Sequence, residues 1–299
     1  MRVVYLLSTK ITSIIKLQTL FKKITLNCGG RLISLEKPAV MGILNITTDS
    51  FYDGSRIKNI DEALKQADKM LKDGATFIDI GAYSSRPGAV DVSIENELKN
   101  AIPIIVAISK NFPETIISID TFRSKVAFEA VQAGATIVND ISSGDDDNEM
   151  LATVAKLKVP YIMMHKKGSP QNMQHHPQYE NVLLEVMNYF TEKVAAAKAV
   201  GIVDLIIDPG FGFGKNIEHN YQLLNALNDF QIFGLPILAG ISRKKMIQKI
   251  VQSDVQHALN GTTAANTIAL LNGANILRVH DVKEATECIN IVNATHGII

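Results

Sequence analysis

Residues 115–141 read TIISIDTFRSKVAFEAVQAGATIVNDI, and this stretch contains the pattern that repeats along most of the chain. An apolar, β-branched run, Thr115–Thr121, is followed by an amphipathic stretch, Ser124–Ala133, and by a second apolar run, Thr136–Ile141. Gly134 stands between the last two, where a glycine can adopt the left-handed backbone that ends many helices. The stretch therefore predicts a β–α–β unit with parallel strands buried on both faces.

The same pattern recurs from Val40 to the end of the chain. The predicted strands are Val40–Thr47, Thr76–Ala82, Thr115–Thr121, Thr136–Ile141, Pro160–His165, Leu205–Pro209, Pro236–Ile241 and Ile276–His280. The predicted helices are Asp61–Lys72, Ile94–Lys110, Ser124–Ala133, Asp147–Leu157, Tyr179–Ala199, Ile217–Leu227, Lys244–Gln252, Ala258–Leu271 and Val282–Val292. This α/β pattern predicts a (β/α)8 TIM barrel. The alternative is an open doubly wound sheet, which would usually carry a glycine-rich dinucleotide loop after its first strand.

Composition limits the classes of function. The chain has 299 residues and a hydrophobic fraction of 46%, enough for one large core. Its 30 basic and 30 acidic residues balance, which argues against a general nucleic-acid or membrane-surface role. No apolar run approaches the roughly 20 residues of a membrane-spanning helix. Cys28 and Cys288 lack a metal-binding or redox spacing, so we expect free thiols in a cytoplasmic protein.

The first 35 residues differ from the rest. They contain no acidic residue and six basic ones, namely Arg2, Lys10, Lys16, Lys22, Lys23 and Arg31. A basic, acid-poor segment is typical of an organellar transit peptide, and that interpretation stays open. We favour an N-terminal extension over residues 1–35, a short hairpin or a frayed segment, followed by the barrel over residues 36–299.

Polar side chains stand at the ends of nearly all predicted strands, where TIM barrels place their active sites. They are Asn45, Asp79, Asp120, Asn139, Asp140, His165, Asp208, Ser242, Arg243, Lys244, Arg278 and His280. Burying a ring of polar groups at one mouth, away from water and without hydrogen-bond partners, would cost considerable free energy. We therefore interpret the ring as a binding site.

The ring divides by charge. Groups that suit the edge of a flat nitrogen heterocycle, such as a pterin, are Asp120, Asn139 and Asp208. Donors for an anion are Arg243, Lys244, Arg278 and His280. Oxygen ligands of the kind that Mg²⁺ prefers are Asn45 and, in the loop after it, Asp49 and Ser50. This combination predicts a group transfer with a phosphate leaving group.

Seven segments, in this order, resemble the motif set of the dihydropteroate synthases, a family of pterin-binding TIM barrels. They are residues 41–54 (MGILNITTDSFYDG), 79–89 (DIGAYSSRPGA), 118–121 (SIDT), 139–141 (NDI), 208–215 (DPGFGFGK), 240–244 (GISRK) and 278–281 (RVHD). Two positions depart from the common pattern. Thr48 stands where many members have proline, and Ser85 stands where threonine is commoner.

The resemblance implies a transferase of folate biosynthesis that is a target of sulfonamides. Such an enzyme condenses 6-hydroxymethyl-7,8-dihydropterin pyrophosphate with 4-aminobenzoate to give 7,8-dihydropteroate and pyrophosphate. The resemblance also implies a homodimer and Mg²⁺, with Asn45 as a metal ligand. Two other functions stay open, a pterin-binding methyltransferase domain that serves a corrinoid and a non-catalytic paralogue that binds pterin or phosphate.

The resemblance also implies a set of site residues. The catalytic residues would be Asp120, Lys244, Arg278, His280 and Arg86. The pterin site would comprise Asp120, Asn139, Met164, Asp208, Phe213, Gly240, Lys244 and Arg278. The aminobenzoate site would be formed by Phe51, Ser84, Ser85, Arg86 and Pro87.

For some polar residues, a structural role has to be weighed against a role in binding a ligand. Asp79 is as consistent with orienting its neighbours as with binding a ligand. We expect His165 to begin a loop rather than to bind a ligand directly. The segment that ends at Lys215 favours a functional role over a simple glycine-rich turn. We expect the acidic run Asp145, Asp146 and Asp147 to begin a helix, and His175 and His176 to be surface residues.

Overall fold

The computed structural model describes residues 24–46, 56–83, 92–168 and 177–298. A hairpin of β1 (Thr25–Cys28) and β2 (Arg31–Ser34) comes first, paired antiparallel. Eight parallel strands follow: β3 (Ala39–Asn45), β4 (Phe77–Gly81), β5 (Ile116–Asp120), β6 (Ile137–Asp140), β7 (Tyr161–Met164), β8 (Leu205–Asp208), β9 (Leu238–Ala239) and β10 (Ile276–Val279). All eight lie within the predicted strands or begin one residue earlier.

The eight strands close on themselves. They are ordered β8-β7-β6-β5-β4-β3-β10-β9, and a parallel bridge between Ile207 and Ile237 joins the two ends of that series. The amide of Ile207 donates to the carbonyl of Pro236 at 3.0 Å, which completes the ring. The prediction of a (β/α)8 TIM barrel is confirmed, and the open doubly wound alternative is wrong.

Helices connect the strands on the outside of the barrel. They are α1 (Arg56–Lys72), α2 (Ile94–Asn111), α3 (Ser124–Gln132), α4 (Met150–Leu157), α5 (Val182–Ala199), α6 (Ile217–Asn225), α7 (Lys245–Ile250), α8 (Leu259–Leu271) and α9 (Val282–Thr295), with a 3-10 helix at Leu227–Phe233. Within the described ranges, none of these helices has the length and apolarity needed to cross a bilayer.

Two helices, α4 and α5, begin three residues later than predicted, and side-chain contacts with backbone amides occur at both starts. The side chain of Asn181 accepts from the amide of Leu184 at 3.1 Å, so α5 begins after Asn181 rather than at Tyr179. Asp147 was expected at the start of α4, but its carboxylate accepts from the amide of Ser124 at 2.7 Å. It thereby ties the loop before α4 to the start of α3.

The strands bury apolar side chains on both faces. Alternate residues such as Ile117 and Ile119 pack outward against the helices, in the larger apolar cluster. Inward-facing residues near the strand starts form a second cluster that includes Phe77, Ile116 and Ile276. The lower half of the barrel is therefore a packed core rather than a channel.

The hairpin covers the lower end of the barrel. Its Leu26 and Cys28 belong to the same inner cluster, and the Cys28 side chain is fully buried. Burial raises the pKa of the Cys28 thiol to about 12. Because the hairpin and the barrel share this core, the structure offers no separation at residue 35, and the division of the chain into 1–35 and 36–299 stays a prediction. Residues 1–23 lie outside the described part of the chain.

The inward face changes from apolar to polar along several of the strands. On β5 the inward residues run from Ile116 through Ser118 to Asp120. On β8 and β10 a buried isoleucine is followed two residues later by Asp208 and Arg278 respectively. Since side chains alternate along a strand, these polar groups lie directly above the apolar layers. The upper mouth of the barrel is consequently the polar end.

Candidate active site

Arg278 lies across the mouth and bridges two carboxylates. Its Nε donates to Asp79 Oδ2 and its Nη2 to Asp120 Oδ2, each at 2.6 Å. Asn139 Nδ2 donates to the same Asp79 oxygen at 3.0 Å. Asp79 is thus the centre of a four-residue network from β4, β5, β6 and β10. Of the two interpretations left open for Asp79, orienting its neighbours is the one that these contacts support.

The inner layer also contains unsatisfied oxygens. Asp79 Oδ1 and Ser118 Oγ are buried and have no hydrogen-bond partner within the described segments. The two residues are register partners on β4 and β5, so both side chains face the barrel interior. Ser118 was not among the predicted site residues. Its position two residues before Asp120 was the available signal, because that spacing places both side chains on one face.

A second group of side chains surrounds Gly240, across the mouth from Asp79 and Asp120. A β-carbon at Gly240 would lie 3.8 Å from both Asp208 Oδ2 and Lys244 Nζ, and 4.0 Å from the β-carbon of Arg278. The glycine therefore leaves open the space on which these groups converge. Lys244 Nζ also donates to the carbonyl of Phe211 and lies 4.7 Å from the ring centroid of Phe213.

Asn45 lies on the other side of Asp120. A β-carbon at Gly81 would be 3.5 Å from both Asn45 Oδ1 and the β-carbon of Asp120. Asn45 is exposed at the mouth, where its amide oxygen can meet a ligand from solution. No group of three or more His, Cys, Asp or Glu side chains suited to a metal occurs among the residues that the structure describes.

Burial shifts the ionisation of the mouth residues. Burial raises the pKa of Asp120 to about 7, and the Arg278 guanidinium, shared with Asp79, offsets only part of that cost. Burial likewise raises the pKa of Asp208 and lowers that of Lys244 to about 8, each opposed by the charge of the other. Asp120 and Lys244, which carry opposite charges, therefore both have a pKa close to neutral pH.

The other predicted anion donors fall into two classes. His280 is exposed, with Nδ1 3.1 Å from Ser242 Oγ, and both residues lie at the mouth. Arg243 does not face the site, contrary to prediction. Its Nε and Nη2 donate to the Asp281 carboxylate at 2.8 and 2.7 Å, because the left-handed backbone at Arg243 (φ 54°) turns its side chain outward to α9.

Three glycines bring the β8–α6 connection against its neighbours. Gly210, Gly212 and Gly214 all have positive φ. A β-carbon at Gly210 would lie 1.9 Å from the carbonyl oxygen of His165, and one at Gly214 would lie 2.2 Å from that of Lys167. This close approach positions Phe213 beside Lys244 and also lets the amide of Gly210 donate to Asp208 Oδ1 at 2.8 Å.

Lys215 has a structural role, contrary to the functional interpretation. It is buried, and its Nζ lies 2.9 Å from His165 Nδ1 and donates to the carbonyls of His165, Gly210 and Phe213. Burial lowers the pKa of Lys215 well below its usual range and that of His165 to about 2, so the imidazole is neutral. His165 is thus a buried residue directly after β7, where the predicted loop begins, and its lack of a ligand role stays a prediction.

Two more predicted strand-end residues differ in orientation. Met164 is buried on the inward face, in register with Asp208. Asp140, although next to Asn139, binds its own loop and not the mouth. Its carboxylate accepts from the amides of Ser142 and Gly144 at 2.7 Å and from the Tyr161 hydroxyl at 2.6 Å. Alternation along β6 explains the difference, because neighbouring side chains face opposite ways.

Several predicted residues lie outside the described residues. They are Thr48, Asp49, Ser50, Phe51, Ser84, Ser85, Arg86, Pro87, His175 and His176. Their predicted roles in the aminobenzoate site, the metal site and the surface therefore stay predictions. The described residues that the structure does bring together at one mouth are Asn45, Asp120, Asn139, Met164, Asp208, Phe213, Gly240, Lys244, Arg278 and His280.

Comparison with known sequences agrees with this geometry. The family model described as "Pterin binding enzyme" matches residues 41–280. The dihydropteroate synthase of Escherichia coli (strain K12) is 45% identical over 268 residues, which cover 89% of this chain and 94% of that protein. The dihydropteroate synthase of Haemophilus influenzae is 41% identical over 272 residues, which cover 90% of this chain and 98% of that protein.

Solved structures of dihydropteroate synthases are also similar to this chain. The Yersinia pestis dihydropteroate synthase in a sulfonamide drug complex superimposes with a TM-score of 0.85 at 42% identity, covering 92% of this chain and 100% of that one. The Xanthomonas albilineans enzyme with 4-aminobenzoic acid gives a TM-score of 0.85 at 37% identity, with coverages of 93% and 100%. The same enzyme in complex with 7,8-dihydropteroate gives a TM-score of 0.82 at 35% identity, with coverages of 92% and 100%.

Proposed function

This chain belongs to the pterin-binding enzyme family, among the dihydropteroate synthases, and from that premise we propose how its barrel mouth performs the reaction. The protein is a transferase of folate biosynthesis that joins 6-hydroxymethyl-7,8-dihydropterin pyrophosphate to 4-aminobenzoate, and the activity is a sulfonamide target. The observation that carries the assignment of roles is the convergence of Asp120, Asp208, Lys244 and Arg278 on one mouth.

The pterin ring is held by the polar groups around Gly240. Asp208 accepts from the amino-pyrimidinone edge, Asn139 donates and accepts beside it, and Lys244 donates to the ring oxygen. Met164 and Phe213 pack against the ring. Gly240 supports this placement because any larger side chain there would contact Asp208 and Lys244 and fill the space.

The pyrophosphate end faces the cations. The bond between the exocyclic carbon and the leaving oxygen breaks with its electron pair on that oxygen, where Arg278 and His280 stabilise the negative charge. Asp120 accepts a hydrogen bond from the bound pterin and stabilises the positive charge that develops on the pterin carbon. The aminobenzoate nitrogen then bonds to that carbon and loses a proton. The reaction needs no nucleophilic side chain, and positioning supplies much of the rate enhancement.

Asn45 is the described residue that suits Mg²⁺. One amide oxygen is not a complete set of metal ligands. Mg²⁺ is, however, commonly bound by few protein ligands together with substrate phosphates and waters. Such an ion would supply positive charge at the departing pyrophosphate. The exposure of Asn45 at the mouth, close to Asp120, supports this role.

Phe51, Ser84, Ser85, Arg86 and Pro87 form the aminobenzoate site in this proposal. The support comes from the motif resemblance and from the chain positions beside them, since Ile46 follows β3 directly and Tyr83 is the second residue after β4.

The assembly is a homodimer in the cytoplasm. Apolar side chains exposed on the neighbouring helices α8 and α9, including Ile268, Leu271 and Ile291, support the dimer, because exposed apolar surface often marks an interface. Two buried cysteines that both remain free thiols are consistent with a reducing compartment.

The test of the reaction uses the full chain with the pterin pyrophosphate, labelled 4-aminobenzoate and Mg²⁺. We expect labelled dihydropteroate. Asp208→Asn should bind the pterin substrate about 100-fold more weakly, because a hydrogen bond to a charged group contributes roughly 1.5–3 kcal/mol.

The matched control is Asp204→Asn, at the lower end of the barrel, where Asp204 accepts from the amide of Asn27 at 3.0 Å. It should keep wild-type affinity. Methyl transfer or simple binding without product formation by the wild-type chain would show that the proposed reaction is wrong.

A further inference from the structure

Arg123 contacts both ends of the segment between Tyr83 and Val92. Its Nη1 donates to the carbonyl of Val92 at 2.6 Å. Its guanidinium carbon lies 5.2 Å from the ring centroid of Tyr83 and 5.0 Å from that of Phe122. Tyr83 and Phe122 also meet edge to face, with ring centroids 5.0 Å apart. One side chain thus contacts the chain two residues after the end of β4 and two residues before the start of α2.

A fully buried carboxylate holds Arg123 in this position. Glu97, on α2, accepts from Arg123 Nη1 at 2.7 Å through Oε2, and its side chain has no exposed surface. Its other oxygen accepts from the Thr121 hydroxyl at 2.7 Å. A buried charge without its partner is strongly destabilising, so this pair keeps the guanidinium in one place.

The sequence contained a signal for this pair. Glu97 begins the buried stripe of α2, which continues through Ala101, Ile104 and Ile108. A charged residue in an apolar stripe requires a buried partner. The pair lies outside the proposed pterin site, in which Asp120 is bound by Arg278 and Asp208 by the amide of Gly210.

We infer that Arg123, held by Glu97, is a positioning residue for the arylamine side of the reaction. It fixes where the chain leaves the barrel at Tyr83 and returns at Val92, and so sets the binding geometry for the aromatic amine without touching either substrate. This inference rests on the proposed function, in which Ser84, Ser85, Arg86 and Pro87 bind that amine.

The experiment separates the two substrates. Arg123→Met keeps the aliphatic stem and removes every donor, and the double variant E97Q/R123M also removes the unpaired buried charge. We expect both to raise the KM for 4-aminobenzoate about tenfold, since a cation–π contact and a charge-assisted hydrogen bond are lost. The affinity for pterin pyrophosphate, measured by calorimetry, should stay within about twofold of wild type.

Two further variants make the test specific. Arg123→Lys retains the charge but loses the planar fork, and it should recover part of the lost aminobenzoate affinity. The matched control is Arg31→Met at the opposite end of the barrel, where Arg31 donates to the carbonyls of Glu114 and Thr115 at 2.7 and 3.1 Å. It should leave the KM for 4-aminobenzoate unchanged.

The inference fails if folded E97Q/R123M has a wild-type KM for 4-aminobenzoate. It also fails if the affinity for pterin pyrophosphate falls in parallel, because the pair would then support the whole mouth. An inactive wild-type chain would instead overturn the proposed function, so the two failures are distinguishable.

Discussion

At the scale of single residues, the main feature of the mouth is that buried carboxylates outnumber the positive charge that contacts them. Arg278 is shared by Asp79 and Asp120, and both contacts are 2.6 Å long. One guanidinium cannot fully offset the cost of burying two carboxylates, so the pKa of Asp120 remains raised by its burial. Asp120, whose side chain is 20% exposed, is the member of the pair that a substrate can reach.

This shortage of positive charge predicts how pterin affinity depends on pH. Burial raises the pKa of Asp120 to about 7 and lowers that of Lys244 to about 8. Below the first value the carboxyl group is protonated and accepts hydrogen bonds poorly, and above the second the amine loses its charge. Affinity should therefore be highest between about pH 7 and pH 8, as measured by calorimetric titration.

The ligand for this titration is 6-hydroxymethyl-7,8-dihydropterin, which has no phosphate whose own ionisation would interfere. Asp120→Asn should remove the loss of affinity on the acidic side and leave the loss on the basic side. If the acidic limb persists in that variant, another group is responsible.

At the scale of elements, the β8–α6 connection depends on backbone approach. Gly210 has a φ of +72°, and a β-carbon there would lie 1.9 Å from the carbonyl oxygen of His165. Gly210→Ala should therefore destabilise the fold by roughly 3 kcal/mol, through left-handed strain and displacement of the β7–α5 connection. Urea denaturation measures this change.

The matched control for that variant is Gly201→Ala. Gly201 has a φ of +93° and no atom near its missing β-carbon, so this change isolates the cost of backbone conformation, about 1 kcal/mol. Equal losses in the two variants would show that the close approach to His165 contributes nothing.

The elements were predictable to different degrees. Strands such as β5 could be predicted because burial on both faces makes them continuous apolar runs. The start of α5 could not, because it depends on whether Asn181 accepts a backbone amide. The same limit applied to the candidate site. Asp120 and Asp208 follow from strand ends, but the outward turn of Arg243 depends on a left-handed φ, and the burial of Lys215 depends on a cluster of carbonyls.

At the scale of the whole molecule, exposed apolar surface predicts association. Leu271 on α8 and Ile291 on α9 are 56% and 64% exposed, and the two helices pack side by side. Sedimentation equilibrium should give twice the monomer mass. Ile291→Glu should shift the protein to monomer, because a charge buried in an apolar interface is costly.

Val203→Glu is the control for surface charge. Val203 is 84% exposed and lies between α5 and β8, at the lower end of the barrel, so this variant should stay dimeric. A wild-type chain that sediments only as a monomer would contradict the dimer.

The hairpin at the lower end of the barrel determines where substrates can enter and where products can leave. Leu26 and Cys28 join the apolar layers that fill the interior, so the residues that the structure describes leave no passage along the barrel axis. Both substrates must therefore enter, and both products must leave, through the upper mouth of the barrel. Asn139 and Asp208 are buried, whereas Asn45 and His280 are exposed, so we expect the heterocycle to bind before the second substrate. We likewise expect the joined product to leave only after the exposed rim is unoccupied.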